Sequence, residues 1–215
     1  MTNSGFLNAL IGLSAGIGHW FLAGIAQRLA SRGLARFFGG GSLATLLANA
    51  ALEELLRIAL IGAAAYTLTR HTELTVSRRT ALLYAFALLA GWAFGSMENL
   101  SYLLAFPSSD IFWRLGYSLP IHLNAGILYA IALFPPSPKG GSGRRSAAGR
   151  ALRAAAALCL GIAWHGAFNA FASLGFFSGL PALGSALNAL AFLALALLAE
   201  HHFVSIGAFH GRTRA

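Results

Sequence analysis

Long runs of mostly apolar residues recur along the whole chain, and few residues lie outside them. A helix of about 20 such residues crosses the ~30 Å hydrocarbon core of a bilayer while satisfying its own backbone hydrogen bonds. We therefore predict an all-α fold class, a polytopic transmembrane helical bundle of about six helices that forms one integral membrane domain over residues 1–215. The predicted helices lie near residues 5–27, 43–69, 80–106, 111–134, 150–175 and 181–204.

Composition supports this class and excludes others. Hydrophobic residues make up 57% of the chain and charged residues 10%, far from the averages of a soluble domain. Cys159 is the single cysteine, which excludes a disulfide framework within the chain and a cysteine-rich zinc site. The net charge of +9 comes from Lys and Arg residues that flank apolar spans, so we predict contact with the lipid bilayer and no nucleic-acid partner.

The distribution of cations predicts the orientation. Most Lys and Arg residues fall at the helix ends that share a side with both termini and with the 135–149 loop, a Pro- and Gly-rich segment predicted to be a flexible connector. The positive-inside rule then places both termini in the cytoplasm. Arg28, Arg32 and Arg36, which directly follow the predicted first helix, favour the opposite orientation.

Small residues one turn apart predict where helices approach closely. The pairs Gly12/Gly16 and Gly91/Gly95 have the small-xxx-small spacing that lets two helix backbones come together. No convincing internal repeat accompanies them, which disfavours a transporter built from inverted halves.

Polar residues inside the predicted spans point to a site, because an ionisable side chain in hydrocarbon is expensive and normally faces a protein-lined cavity. They are Glu53, Glu54 and Arg57, then Glu98 with Asn99, then His122, and last His165 with Asn169. At the ~1.5 Å rise per residue of a helix, the acids and imidazoles lie about 12–16 Å from the outer helix ends. We therefore predict that four helices bring them to one level.

The residue types at that level suit hydrolysis. Arg57 lies one turn after Glu53 and Glu54 and can pair with either carboxylate. Two adjacent carboxyl groups in a low-dielectric site do not both ionise cheaply, so such a pair can supply a general base for water. Histidines can orient or share the proton, and an imidazole with an asparagine amide can donate hydrogen bonds to a developing oxyanion.

Four segments, in order, carry a resemblance to one family. LEELLR at 52–57 looks like an EExxxR/K motif with two residues instead of three before the arginine, and FGSMENLSY at 94–102 resembles FxxxEN followed by Tyr. The stretch from Arg114 through PIH at 120–122 to Gly126 resembles a third motif, and HGAFN at 165–169 a fourth, HxxxN. Together they resemble the PrsW and type II CAAX-prenyl endopeptidase superfamily of glutamic intramembrane proteases. Glu98 stands where CAAX-type members are expected to have histidine, which favours the PrsW branch.

The resemblance implies an activity and roles. It implies an intramembrane endopeptidase in which Glu53 or Glu54 activates water, His122 assists, and His165 with Asn169 binds the oxyanion. Arg57, Glu98 and Asn99 are supporting residues, and no metal or other cofactor is implied. The implied substrate is a membrane protein or peptide, such as an anti-sigma factor, cut near the outer side of a bacterial plasma membrane.

Two other classes of function remain open. In one, the buried acids and histidines ligate a divalent metal in a membrane metalloprotease or metal carrier, although the HExxH pair of one-helix zinc sites is absent. In the other, the chain is a non-catalytic membrane scaffold or a proton-coupled transporter that uses the carboxylates as relays. The sequence makes no prediction of oligomeric state.

Overall fold

A computed structural model gives the fold, and it describes residues 3–38, 42–71, 74–105, 111–133, 147–173 and 181–212. The regular structure in these ranges consists of α-helices alone, as predicted from the apolar runs. The six helices are α1 (Asn3–Phe38), α2 (Leu43–Arg70), α3 (Val76–Ala105), α4 (Ile111–Leu133), α5 (Ala147–Ser173) and α6 (Pro181–Arg212).

Two predicted helix ends are wrong. The first helix does not end at residue 27 but continues to Phe38, so Arg28, Arg32 and Arg36 lie within α1 and not in a loop after it. The last helix runs to Arg212 and not to 204. The end of an apolar run marks where a helix leaves hydrocarbon, but Arg is a good helix former and does not stop the helix itself. The predicted 135–149 connector lies largely outside the described residues.

The membrane character of the chain rests on three described stretches that are long and apolar enough to cross a bilayer, Leu7–Leu34, Val76–Ala105 and Ala148–Phe171. Helix α2 has 28 residues, which also suffices for a crossing, but its middle carries Glu53, Glu54 and Arg57. Helices α4 and α6 contain shorter apolar stretches in their described parts. The helix that carries the predicted catalytic acids is thus not among these three stretches.

Helix α4 lies at the centre of the bundle, where it packs against α2, α3, α5 and α6. Helix α1 packs against α3 and α2 on one side, and α5 packs against α2 and α4 on the other. The apolar core lies between α2, α3 and α4 and includes Ile61, Leu83, Ala87 and Tyr129, all essentially inaccessible to solvent. This arrangement surrounds the middle of α2 with four neighbouring helices.

The predicted close approaches at the two glycine pairs are confirmed. A Cβ atom on Gly16 of α1 would collide with the carbonyl oxygen of Ala90 in α3. A Cβ atom on Gly91 of α3 would lie 2.7 Å from the carbonyl oxygen of His122 in α4. Real Cβ atoms do not approach backbone oxygens this closely, so glycine is required for α1 and α4 to pack against α3 at these points.

Candidate active site

A cavity of about 700 Å³ enters the bundle between α1, α2, α3, α4 and α5. Five of the eight predicted site residues line its wall, namely Glu53, Glu98, His122, His165 and Asn169. The remaining three do not line it, because Glu54 and Arg57 are buried in the protein behind Glu53, and Asn99 is buried in α3. The predicted convergence of acids and imidazoles from four helices is therefore confirmed.

Glu54 is buried completely, and both of its carboxylate oxygens are occupied. Its Oε1 accepts hydrogen bonds from Nη1 of Arg57 and from Nδ1 of His165, the latter at 2.8 Å. Its Oε2 accepts a hydrogen bond of 2.8 Å from the hydroxyl of Tyr129. A carboxyl group that faces three donors, one of them a guanidinium, is held as an acceptor-only carboxylate. Glu54 is therefore a buried anchor that does not face the cavity.

Glu53 has a different environment although it is the next residue. Its side chain is 7% exposed and forms part of the cavity wall. Oε1 accepts a hydrogen bond from the side-chain amide of Gln27, whereas Oε2 has no hydrogen-bond partner among the described residues. The nearest cationic or imidazole nitrogen to Oε2 is Nε2 of His165, at 3.5 Å. Glu53 thus presents beside a cavity one buried carboxylate oxygen that makes no hydrogen bond with a described residue and lies at ion-pair distance from His165.

Arg57 and His122 connect Glu54 to a third carboxylate, that of Glu98. Nη2 of Arg57 lies 2.8 Å from Nδ1 of His122, and Nε2 of His122 lies 2.8 Å from Oε2 of Glu98. A guanidinium can only donate, so Nδ1 of His122 is the acceptor and its hydrogen is on Nε2, which donates to Glu98. Both imidazole nitrogens are therefore engaged, and His122 positions Glu98 without touching Glu53.

His165 and Asn169 lie one turn apart on α5, as predicted. Because Nδ1 of His165 donates to Glu54, its Nε2 is the nitrogen that faces Glu53, and the imidazole bridges the two neighbouring carboxylates. The side chain of Asn169 lines the cavity and makes no hydrogen bond with another described residue. The amide of Asn169 is thus free to donate to a bound molecule.

Several residues of the site were missed in the sequence. Tyr129 lies seven residues after His122 and Ser118 four residues before it, both spacings that repeat one helix face, so helical periodicity could have found them. Ser118 donates to Oε2 of Glu98 at 3.2 Å. From α1, His19 donates to the backbone carbonyl of Glu53 at 3.1 Å, and Gln27 donates to its side chain. No motif spacing links α1 to the other helices, so these two contacts could not be found that way.

Phe94, the first residue of the second motif, packs at the centre of the site. Its ring centroid lies 4.4 Å from that of His19 and 4.8 Å from that of His122, and the guanidinium carbon of Arg57 lies 5.1 Å from it. A cation above an aromatic face is attracted to the ring, so Phe94 helps to hold Arg57 in place. These three contacts make the ring a structural element of the site.

The arrangement bears on the metal-binding alternative. In the described part of the chain, no group of three or more His, Cys, Asp or Glu side chains has the geometry of a metal site. Arg57 lies within the cluster, between Glu54 and His122, where its fixed positive charge opposes a divalent cation. These carboxylates and imidazoles are instead bound mainly to Arg57 and to one another.

Fold and site together define a helical membrane protein with a polar cavity built around paired glutamates. Comparisons of the chain with protein-family models, curated proteins and solved structures gave no match.

Proposed function

We propose that the chain is an intramembrane glutamic endopeptidase of the PrsW type, in which Glu53 is the general base. The observation that carries the proposal is Oε2 of Glu53, which makes no hydrogen bond with a described residue and is buried beside a cavity that also presents Glu98, His165 and Asn169. A general base must lie within hydrogen-bond reach of the water that it deprotonates. Oε2 of Glu53 has no hydrogen-bond partner among the described residues, and it belongs to a residue that lines the cavity.

The chemistry assigned to Glu53 is hydrolysis without a covalent intermediate. Its carboxylate accepts a proton from water while the water oxygen attacks the substrate carbonyl carbon. The tetrahedral intermediate then breaks its carbon–nitrogen bond, and the same proton passes to the leaving amine. One water is consumed, and a carboxylic acid and an amine are formed. Nε2 of His165, 3.5 Å from Oε2 of Glu53, orients the carboxylate and the water.

Asn169 is assigned to the oxyanion. Its amide lines the cavity one turn from His165 and can donate to a carbonyl oxygen as that atom gains charge. Since Nδ1 of His165 already donates to Glu54, this imidazole has only Nε2 to offer, beside the general base. We therefore place the oxyanion at Asn169 and His165 on the water side.

Glu54, Arg57 and His122 form the support for these groups. The three are buried and hydrogen-bonded in series, and the series ends on Glu98 at the cavity wall. A catalytic side chain is effective when neighbouring groups lock its position, and this series fixes His165 through Glu54 and Glu98 through His122. Glu98 is the second carboxylate that a substrate in the cavity would meet.

The proposed substrate is a single-span membrane protein, such as an anti-sigma factor, with a flexible segment next to its membrane span. A helix must unwind locally before its carbonyl groups can reach the base of a cleft, because helical carbonyls are already hydrogen-bonded. Following the positive-inside reading, we place the chain in a bacterial plasma membrane with both termini in the cytoplasm and the cavity facing outward.

The test is proteolysis by the purified protein in lipid vesicles after metal removal. The substrates are single-span membrane proteins with fluorescent tags outside the membrane, and the products are identified by mass spectrometry. We expect cleavage that persists with chelators present and falls at least about a hundredfold in Glu53→Gln, in line with the loss of a general base. Cleavage that needs added zinc, or that is intact in Glu53→Gln, would refute the proposal.

A further inference from the structure

The wall of the cavity formed by α1 and α2 holds polar residues that the proposed reaction does not use. They are Gln27, Arg28 and Ser31 from α1 and Asn49 from α2, and all four line the cavity with Glu53. None belongs to a sequence motif described above.

Hydrogen bonds connect α1 and α2 at two levels along their axes, here called lower and upper. At the lower level, the amide of Gln27 donates to Oε1 of Glu53. At the upper level, the hydroxyl of Ser31 donates to Oδ1 of Asn49 at 3.2 Å. Ser31 follows Gln27 by four residues and Asn49 precedes Glu53 by four, so the levels are about 6 Å apart along antiparallel helices.

The upper level offers donors to the cavity. Since Oδ1 of Asn49 accepts from Ser31, its Nδ2 group is the end that is left for a bound molecule, and it makes no hydrogen bond with another described residue. Arg28 follows Gln27 between the two levels, lines the same cavity, and makes no ion pair with any acid in the described ranges. Arg28 and Asn49 line the same cavity, and a guanidinium and an amide that both donate to one molecule can bind a carboxylate.

The base of the cavity has the opposite charge. Glu53 and Glu98 both face it there, so an anionic group is repelled from the base and attracted toward Arg28. A peptide with one carboxylate would therefore bind in one direction, with its anionic group at the upper level and a neutral peptide bond at Glu53.

We infer that Arg28 and Asn49 form a carboxylate-binding subsite that selects acidic peptide substrates. This inference rests on the proposed endopeptidase function and names its substrate class. The separation of ~6 Å corresponds to about two residues of extended chain at ~3.3 Å each, so the carboxylate lies about two residues from the scissile bond. An Asp or Glu side chain and a free C-terminus both supply this chemistry.

The test measures binding, with fluorescent peptides of equal length added to full-length protein in nonionic detergent. The Glu53→Gln background prevents hydrolysis during the measurement. One pair of peptides has an amidated C-terminus and differs only by Asp against Asn at one position. A second pair has no acidic side chain and differs only by a free against an amidated C-terminus. The pair that shows a preference identifies the source of the carboxylate.

We expect the acidic member of one pair to bind about tenfold more tightly or better, the lower range for a hydrogen bond to a charged group. Arg28→Gln and Asn49→Ala should each abolish most of this preference. Arg36→Gln is the matched control, because it removes the same charge from the same helix at an exposed position outside the cavity. It should leave the preference unchanged.

Equal affinity within both pairs, absence of binding, or a preference that survives both Arg28→Gln and Asn49→Ala would overturn the inference. Its failure is distinguishable from failure of the proposed function, because cleavage by the wild-type protein is a separate measurement. Cleavage dependent on Glu53 without charge preference removes only the subsite. Selective binding without cleavage of any substrate removes only the protease.

Discussion

Adjacent glutamates have separate tasks in this protein because neighbouring residues on a helix point about 100° apart, at 3.6 residues per turn. Glu53 faces the cavity, and Glu54 faces Arg57, Tyr129 and His165. The same side chain is thus the proposed general base at one position and a buried ion-pair partner at the next. Replacing each by glutamine separates the two roles.

Glu53→Gln should abolish proteolysis with little effect on stability. The side-chain oxygen of the glutamine can still accept the hydrogen bond from Gln27, and the Oε2 atom that is replaced has no hydrogen-bond partner among the described residues. Glu54→Gln should destabilise the protein by about 3–5 kcal/mol, the range for removing one partner of a buried ion pair, since Arg57 would then be left uncompensated. Thermal unfolding in detergent and a cleavage assay measure both effects. Equal stability of the two variants would contradict the assignment of Glu54 as the anchor.

Asn169→Ala should lower kcat by about 10²–10³ with little change in KM, as is common when one oxyanion donor is removed. The amide is expected to meet the carbonyl oxygen most strongly when that atom carries charge, so the substrate complex loses less than the transition state. Asn49→Ala provides the contrast, because a binding residue should raise KM instead. A raised KM with normal kcat in Asn169→Ala would assign Asn169 to substrate binding.

Helix α3 controls the geometry of the site through two glycine contacts and one aromatic residue. Gly16 of α1 packs on its backbone at Ala90, Gly91 packs on the backbone of α4 at His122, and Phe94 packs against His122 itself. Helices α1 and α4 are therefore held at short range on either side of α3. Any widening of the α3–α4 spacing moves His122 away from Glu98.

Gly91→Ala should destabilise the protein by about 1–3 kcal/mol, the usual range for overpacking, because the new methyl group meets the carbonyl oxygen of His122. Proteolysis should fall as well, since His122 and Glu98 lie on the two helices that must separate. Gly18→Ala is the matched control, because a Cβ atom at Gly18 meets nothing within 4 Å. Identical unfolding temperatures for the two variants would show that the contact at Gly91 is not tight.

The cavity lies in one half of the bundle, measured along the helix axes. Tyr102 and Asn169 line it near the ends of α3 and α5, about 5–6 Å along the axis from those ends, whereas Glu53 lies about 15 Å from the start of α2. From Glu53 to the other end of α2 the distance is about 26 Å. The cavity is therefore nearer to the side where α1, α3 and α5 end, and we expect water and the proposed substrate to enter from there.

The distribution of Lys and Arg residues predicts that this side is outside the cell. In a Cys159→Ser background, Ala105→Cys marks the cavity side at the end of α3, and His71→Cys marks the opposite side after α2. A membrane-impermeant maleimide should label Ala105→Cys in intact cells, and His71→Cys only after permeabilisation. The reverse pattern would place the cavity on the cytosolic side and favour cytosolic peptides as substrates.

Local properties of the sequence account for what could be predicted without the structure. Apolar runs of this length cross a bilayer, where the backbone must be helical to satisfy its own hydrogen bonds. The fold class therefore follows from the local sequence. The level of Glu53, Glu98, His122 and His165 follows from the constant rise of a helix. Helix ends were less predictable, as α1 demonstrates, because they depend on capping and packing as well as on apolar length.

The partners of each side chain depended on rotation and register, which are set by all the helix faces packing at once. Spacing along α2 allowed Arg57 to pair with either glutamate. In the folded protein Arg57 pairs with Glu54, because His122 and Tyr129 of α4 contact Arg57 and Glu54 on the same side of α2. Similarly, the amide of Gln27 reaches Glu53 only because α1 lies against α2. Spacing along one helix cannot supply this information, because the contacts of His122, Tyr129 and Gln27 join residues from separate helices.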